Sequence, residues 1–285
     1  MTTLRRSAPA KINLTLRVGG RRPDGFHEIE SLVALVDLAD SVEVTDHEDG
    51  CYSLECDEPT LPRDGSNLVL RAARALAQSA EINRGAEITL TKRIPAGAGL
   101  GGGSSDAAAT LMLLNDLWGT RRSPAELEQL GATLGSDVPL FFHGPLSVVR
   151  GRGEHVARGP GALRAWVGLV LPAIACPTPA VYAEFDRLPA PPARPTLDEV
   201  RAALDAPDRL MGLLFNDLEA AAARAVPELG RLMERVATEV GGPVRLTGSG
   251  SAFYRLFAQR AATEQWAEDV RRKLGIRGVV AQTLA

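Results

Sequence analysis

The stretch Ile94-Pro-Ala-Gly-Ala-Gly-Leu-Gly-Gly-Gly-Ser-Ser-Asp106 is the most informative part of this 285-residue chain. It follows an alternating segment, residues 86–94, that predicts a strand, and it precedes an Ala- and Leu-rich segment, residues 106–117, that predicts a helix. Five of the nine residues from 97 to 105 are glycine. Because side chains would block close approach, this order of elements predicts a site where backbone N–H groups and a helix N-terminus hold a phosphate.

Other phosphate-loop patterns fit this stretch less well. Gly97, Gly99 and Gly102 formally match GxGxxG, but a Rossmann site expects another strand ending in an acid about 20 residues later. Instead, Pro124 behind Ser123 predicts the first turn of a further helix. A Walker loop would need a lysine after the glycines, and a protein kinase would need HRD and DFG signals. A flexible turn that only joins strand to helix remains the structural alternative.

Composition narrows the class of protein. The chain is 45% apolar, and its 32 basic and 35 acidic residues give a net charge of -3. This balance lacks the basic footprint of a nucleic-acid binder and gives no attraction to an anionic membrane. The longest nearly apolar run, residues 165–177, is interrupted by Pro172 and is shorter than the roughly 20 residues of a membrane helix. We therefore expect neither nucleic acid nor a membrane as partner.

The N-terminal residues and the cysteines indicate a compartment. The first residues carry charge without the apolar segment of a secretory signal. Three cysteines, Cys51, Cys56 and Cys176, cannot all pair with one another, and the first two lack the CxxC spacing of a zinc or redox site. We expect a cytoplasmic protein with reduced thiols.

The basic residues are unevenly divided between the two types. Of the 32, 29 are arginine and three are lysine, namely Lys11, Lys92 and Lys273. In a chain that otherwise uses arginine for surface charge, each lysine raises the question whether that position requires a compact ammonium.

The order of predicted elements is mixed α/β, with two halves of comparable size. Strands are predicted over residues 11–18, 28–36 and 41–45, and a helix over residues 67–78 with Asn67 as its N-cap. The glycines of residues 151–161 predict a boundary loop. Helices near residues 197–204, 220–225, 227–240 and 262–274 and short strands near residues 243–246, 252–257 and 278–283 complete the chain.

Three further features have both a structural and a functional interpretation. Leu246-Thr-Gly-Ser-Gly-Ser-Ala252 fits a hairpin turn with positive φ, or a second backbone surface beside an anionic substrate. Asp137, ahead of an apolar run, fits a turn residue, or a base held near a substrate hydroxyl. Lys11 interrupts an apolar β-segment and fits an edge-strand charge as well as a functional ammonium.

Together these segments resemble the GHMP small-molecule kinases over nearly the whole chain. Three stretches carry the resemblance: Ala8-Pro-Ala-Lys-Ile-Asn-Leu14 with Arg22-Pro-Asp-Gly-Phe-His27, the glycine-rich loop, and the second glycine cluster. The resemblance implies a two-domain α/β (α+β) fold with the active site in the interdomain cleft. It implies an N-terminal ATP-binding domain over residues 1–155 and a C-terminal domain over residues 156–285.

The first stretch is similar to the branch of the family that acts on the diphosphocytidyl derivative of methylerythritol. The resemblance then implies ATP-dependent phosphorylation of its C2 hydroxyl in non-mevalonate isoprenoid biosynthesis, with Mg²⁺ accompanying ATP. Lys11 and Asp137 match the family's catalytic pair. Positions that match the ATP site are Asn67, Lys92, Pro95, Ala96, Gly97, Ala98, Gly99, Leu100, Gly101, Gly102, Gly103, Ser104 and Ser105. The metal ligands stay unknown, because no acidic cluster with metal-ligand spacing is visible.

On the substrate side, the family stacks the cytosine ring between a Tyr before the His and a later Phe. This sequence has Phe26 and Tyr182 at those positions, and ring stacking should survive the exchange. Without the resemblance, His27 would be interpreted as a surface-loop residue and the aromatics as core. Positions that match the substrate site are Asn13, Phe26, His27, Tyr182, Gly248, Ser249, Gly250 and Ser251.

Two alternatives remain open. Another GHMP kinase, such as a mevalonate or homoserine kinase, would share the loop but would not need the Phe26-His27 segment. A nucleotide-binding regulator without turnover would not need both Lys11 and Asp137. In each case the partner is a small molecule, and we expect a monomer or a homodimer.

Overall fold

The structure, a computed structural model, describes residues 2–285. Within that range the chain forms two β-sheets that pack face to face, with helices on the outer faces. The strands are β1 Thr3–Arg21, β2 His27–His47, β3 Tyr52–Cys56, β4 Gly85–Thr91, β5 Leu146–Gly151, β6 His155–Arg158, β7 Trp166–Val170, β8 Phe215–Asn216, β9 Arg245–Leu246, β10 Phe253–Phe257 and β11 Gly278–Gln282. The helices are α1 Leu68–Ser79, α2 Gly102–Trp118, α3 Pro124–Leu134, α4 Thr178–Phe185, α5 Leu197–Arg201, α6 Pro207–Leu213, α7 Glu219–Ala225, α8 Pro227–Arg235 and α9 Arg260–Leu274, with a 3₁₀ turn Pro139–Phe142 and a π-helical turn Val236–Gly241.

The first sheet is built on the long antiparallel pair β1 and β2. Its strand order is β3-β4-β2-β1-β8, and β5 pairs with the first half of β2 and with β6. The sequence pattern predicted two separate strands in residues 28–45, whereas β2 runs through without a break. The pairing of β1 with β2 shifts register between Pro9 and Ala10, because β2 forms a bulge opposite them. This bulge accommodates residues 37–40, where the alternation of apolar and polar residues is interrupted, without ending the strand.

The second sheet has the order β11-β7-β10-β9 and is antiparallel throughout. It packs on the first sheet through a core that includes Ile12, Leu14 and Leu169. Since side chains of a strand alternate between its faces, Lys11 and Asn13 lie on the opposite face of β1 from Ile12 and Leu14. There they lie beneath the glycine-rich loop.

Helix signals in the sequence are confirmed with small differences at the boundaries. Asn67 caps α1 by accepting a hydrogen bond from the backbone N–H of Val69 at 3.0 Å. Ser123 and Glu126 form a capping box at the start of α3. The helix predicted from residue 106 begins earlier, at Gly102, because the N–H of Ser105 already bonds to the carbonyl of Gly101.

Several elements were missed by the sequence pattern. The boundary loop predicted over residues 151–161 contains β6, which forms a hairpin with β5. Its four residues, two polar and two apolar, are too few to show periodicity. The strand β3 and the helices α4 and α6 were also missed, while the domain division at residue 155 stays a prediction. No helix within residues 2–285 combines the length and apolarity that crossing a membrane requires.

Candidate active site

The glycine-rich loop forms the wall of a cavity of about 350 Å³. Gly97, Gly99 and Gly101 have φ values of 68°, 76° and 72°, a left-handed conformation that other residues adopt at a cost. Among residues 2–285, no side chain caps the start of α2, so its first N–H groups can bind an anion. The cavity is lined by Pro95, Ala96, Gly97, Ala98, Gly99, Leu100, Gly101, Gly102, Gly103 and Ser104, with Asn67, Lys92 and Asp106.

The second glycine cluster packs directly against the first. The hydroxyl of Thr247 donates to the carbonyl of Gly99 at 3.2 Å, and the N–H of Ala252 donates to the carbonyl of Ala98 at 3.1 Å. A Cβ at Gly248 would lie 3.2 Å from the Gly99 carbonyl oxygen. Residues 247–252 therefore form more than a hairpin turn, because they support the back of the phosphate loop.

Lys11 lies where the two loops meet. Its side chain is buried, its backbone N–H bonds to the carbonyl of Leu100 at 2.9 Å, and its Nζ donates to Asn13 Oδ1 at 2.6 Å. Burial lowers the pKa of Lys11, while the negative charge of Asp137 acts in the opposite direction. The interpretation of Lys11 as an edge-strand charge is wrong, because the residue is buried and the glycine-rich loop covers this edge of β1, with Leu100 accepting the backbone N–H of Lys11.

Asn13 connects Lys11 to both sheets. Besides the lysine, its Oδ1 accepts from the N–H of Gly248 at 2.9 Å, and its Nδ2 donates to Ser31 Oγ at 2.8 Å. The backbone carbonyl of Asn13 accepts from the Tyr254 hydroxyl at 2.8 Å. The side chain predicted to face substrate is therefore engaged in holding the ammonium and the second glycine cluster in place.

Asp137 lies in the turn between α3 and the 3₁₀ turn and is half-buried. Its charge acts on two groups from different parts of the chain. It counteracts the burial of Lys11, and it adds to burial in raising the pKa of Tyr182 to about 12. An ammonium on β1, a carboxylate in the turn after α3 and a phenol on α4 thus lie close enough for the carboxylate to influence both other groups.

Lys92 is held between two buried carboxylates. Its Nζ donates to Asp40 Oδ2 and, at 2.7 Å, to Asp106 Oδ2. Burial would lower the pKa of Lys92, but the charges of Asp106 and Asp40 outweigh it and raise that pKa. Burial raises the pKa of Asp106 to about 7 against the opposing charge of Lys92. Both acids were missed at the level of sequence, although Asp106 directly follows the glycine-rich loop.

The aromatic residues do not form one stack. His27 is buried, stacks on Tyr182 with ring centroids 5.0 Å apart, and places Nε2 2.6 Å from Asp186 Oδ1. The interpretation of His27 as a surface-loop residue is therefore wrong. Phe26 is 49% exposed and has the guanidinium of Arg152 over its ring at 5.2 Å. Asp186, which sequence reasoning missed, lies just beyond the end of α4.

The serines of the second cluster are anchored to the C-terminal half of the chain. Ser249 Oγ lies 2.7 Å from Thr178 Oγ1, and Ser251 Oγ donates to the carbonyl of Pro172 at 3.4 Å. Gly250 has a φ of 95° and bonds back to the carbonyl of Thr247 at 3.1 Å. These side chains position the turn, and its backbone faces the glycine-rich loop.

Two buried oxygens near the cavity lack a partner. Within the part of the chain that the structure describes, Ser105 Oγ and Asp106 Oδ1 accept and donate no hydrogen bond. Ser105 lies in the wall behind the cavity lining rather than on it. No group of three or more His, Cys, Asp or Glu residues in the range 2–285 forms a metal cluster. Hydroxyl and carboxylate oxygens are nevertheless the donors that Mg²⁺ prefers.

This arrangement suits transfer of a phosphoryl group to a hydroxyl. Such a reaction depends mainly on positioning and on stabilising charge. The loop and the start of α2 can hold an anion, Lys11 can supply a fixed positive charge, and the carboxylate of Asp137 can accept a hydroxyl proton.

Comparison with known proteins places this geometry in a family. The model of the GHMP kinases N terminal domain matches residues 67–145, and that of the GHMP kinases C terminal matches residues 195–278. The chain belongs to the GHMP kinase family.

Two relatives and one solved structure with at least 35% identity to this chain carry the name of one kind of kinase. The 4-diphosphocytidyl-2-C-methyl-D-erythritol kinase of Bacillus pumilus is 37% identical over 90% of this chain and 89% of its own length. The kinase of the same name from Salinibacter ruber is 39% identical over 91% of this chain and 92% of its own. A crystal structure of 4-(cytidine 5'-diphospho)-2C-methyl-D-erythritol kinase superposes with a TM-score of 0.83 at 35% identity, over 99% of this chain and 100% of that one.

Proposed function

We propose that this chain transfers the γ-phosphoryl group of ATP to the C2 hydroxyl of 4-diphosphocytidyl-2-C-methyl-D-erythritol. The products are the 2-phosphate and ADP, and the reaction belongs to non-mevalonate isoprenoid biosynthesis. The observation that carries the proposal is the convergence of Lys11 and Asp137 beside the glycine-rich loop, in a chain related to kinases of that name.

In the proposed mechanism, Asp137 takes or orients the proton of the C2 hydroxyl. A bond forms between that oxygen and the γ-phosphorus while the bond from phosphorus to the β–γ bridging oxygen breaks, and the electron pair leaves with ADP. Lys11, fixed by Asn13 at 2.6 Å, stabilises the charge on the transferring group. The backbone of residues 95–105 and the start of α2 bind the remaining phosphates.

We also propose that Mg²⁺ accompanies ATP. Asp106 lines the cavity, and its Oδ1, a buried oxygen without a partner in the described range, fits a hard cation; the equally unpartnered Ser105 Oγ lies behind the lining. When bound, the metal would neutralise phosphate charge.

On the substrate side, we propose that Phe26, His27 and Tyr182 bind the cytidine. The ring of Phe26 is exposed, and the ring of Tyr182 is held in place because one of its faces stacks on His27. Support comes from the Asp186 contact, which fixes His27 between β2 and α4. A mevalonate or homoserine kinase would have no use for this group of residues.

We further propose a cytoplasmic protein that acts as a monomer or homodimer without nucleic acid or a membrane. Its near-neutral charge supports this, as do its cysteines, all of which are free in the range that the structure describes.

The deciding experiment is an ADP-release assay of the purified chain with three acceptors: the diphosphocytidyl compound, mevalonate and homoserine. We expect kcat/KM for the first to exceed that for the others by at least 10³. A higher kcat/KM for mevalonate or homoserine would assign the chain to another branch of the family. ATP binding without turnover on any acceptor would support the regulator instead.

A further inference from the structure

Asp40 is a buried acid whose position the proposed mechanism does not explain. It lies in β2, and its side chain has no exposed surface. Burying a carboxylate is unfavourable unless charged or hydrogen-bonding partners compensate. All of its hydrogen-bond partners lie in the three residues that precede the glycine-rich loop.

One carboxylate binds those three consecutive residues. Asp40 Oδ1 accepts from the backbone N–H of Arg93 at 2.5 Å and from that of Ile94 at 2.8 Å. Its Oδ2 accepts from the ammonium of Lys92. The direction in which the chain leaves β4 and enters the loop at Pro95 is therefore set by Asp40.

The same carboxylate also reaches the other end of the loop. A Cβ at Gly102, the first residue of α2, would lie 3.4 Å from Asp40 Oδ2. The ammonium of Lys92, which donates to Asp40, also donates to Asp106 Oδ2 at 2.7 Å. Asp106 lies one turn after Gly102 in α2. Asp40 thus binds the exit of β4 directly and is linked to the start of α2 through Lys92.

This arrangement matters because the loop binds through backbone atoms. Backbone donors bind an anion well only when they are held in place beforehand, since every ordering step subtracts from affinity. Glycines give the loop close approach but little stiffness of their own. The stiffness has to come from residues that hold the ends of the loop.

We propose that Asp40 is a positioning residue for ATP: it fixes both ends of the glycine-rich loop so that the loop's N–H groups meet the β- and γ-phosphates. It does so without touching the nucleotide. This inference rests on the proposed function, because it takes the loop to hold the phosphates of ATP. It predicts that loss of Asp40 weakens nucleotide binding more strongly the more phosphates the nucleotide carries. A merely structural role would weaken the binding of all nucleotides alike.

The test compares Asp40→Asn with Asp57→Asn, measuring ADP and AMP binding by calorimetry in EDTA to exclude the metal. Asp57 is a suitable control because it accepts from the N–H of Lys92 at 2.7 Å but is exposed. We expect Asp40→Asn to weaken ADP binding at least tenfold and AMP binding less than threefold, and Asp57→Asn to change neither. Equal loss of ADP and AMP, or no loss of either, would overturn the proposal.

A second variant covers the case in which Asp40→Asn does not fold. Asp106→Asn weakens the far end of the same network and leaves the two backbone bonds of Asp40 in place. It should lower ADP affinity selectively as well, and hydrogen exchange of residues 95–105 should become faster. An unchanged ADP-to-AMP affinity ratio in this variant also contradicts the proposal. Wild-type turnover is measured separately, so a failed kinase assignment is distinguishable from a failed role of Asp40.

Discussion

The carbonyl oxygen of Thr247 occupies the place that a side chain on Gly99 would need, because a Cβ there would lie only 2.2 Å away. We expect Gly99→Ala to separate the two glycine clusters and to raise KM for ATP. The matched control is Gly97→Ala, since Gly97 has a similar φ of 68° but open space around it among the described residues.

Urea unfolding should distinguish these two alanine variants. The left-handed conformation alone costs about 1 kcal/mol in both. The clash should cost Gly99→Ala a further 1–3 kcal/mol or so, the usual range for overpacking. Equal losses of unfolding free energy would contradict the contact between the clusters.

Asp137→Asn should abolish most turnover while the fold and the nucleotide site stay intact. An amide cannot take the hydroxyl proton, and removal of a general base commonly lowers rate by about 10² to 10⁴. We expect ADP affinity to stay within twofold of wild type. Asp116→Asn, an exposed acid on α2, serves as control and should keep full turnover. Turnover near the wild-type rate in Asp137→Asn would remove this residue from the mechanism.

Phe26→Ala and Tyr182→Ala should mainly raise KM for the diphosphocytidyl substrate. Loss of one base stack costs about 1–3 kcal/mol, and KM for ATP should not change. The effect should be larger for Tyr182, because its removal also frees the His27 ring that it covers. If KM for the acceptor is unaffected in both variants, cytidine binds elsewhere.

The conformation of the glycine-rich loop could be predicted from the sequence because it is set locally. A glycine-rich segment between a strand and a helix exposes its own backbone, and nothing distant is needed to identify it. The caps at Asn67 and Ser123 were predictable for the same reason, since each acts on residues within the next turn.

The network around Lys92 could not be predicted in this way. Asp40 lies in β2 and Asp106 in α2, and only the pairing of β2 with β4 brings them to one ammonium. Asn13 shows the same limit, because its hydrogen-bond partners in residues 247–248 are contributed by the opposite end of the chain. Pairwise contacts over such separations leave no periodic signal in a single sequence.

Lys11 should make activity and stability respond oppositely to alkaline pH. Burial lowers its pKa in the folded state below the ordinary value of 10.5. Between these two pKa values the unfolded chain binds more protons, so the contribution of Lys11 to the unfolding free energy rises with pH in that window. Turnover should fall over the same window as the ammonium is lost. We expect Lys11→Met to lack this rise when the unfolding free energy is measured by urea unfolding from pH 7 to 10.5. A pH dependence identical to that of the wild-type chain would contradict the assignment.

Lys11→Arg and Lys273→Arg make the same substitution in opposite surroundings. A Cβ on Gly101 would already lie 3.0 Å from Lys11 Cγ, and one on Gly248 would lie 3.3 Å from its Nζ, so a planar guanidinium has no room there. Lys273, in the exposed last turn of α9, donates to the carbonyl of Glu239 at 2.5 Å, a bond that arginine can also make. We expect turnover to fall at least about 100-fold in Lys11→Arg, a loss within the range for removing one charge-stabilising donor, and to stay unchanged in Lys273→Arg. Steady-state ADP release measures both, and comparable rates in the two variants would show that a positive charge of either shape suffices at position 11.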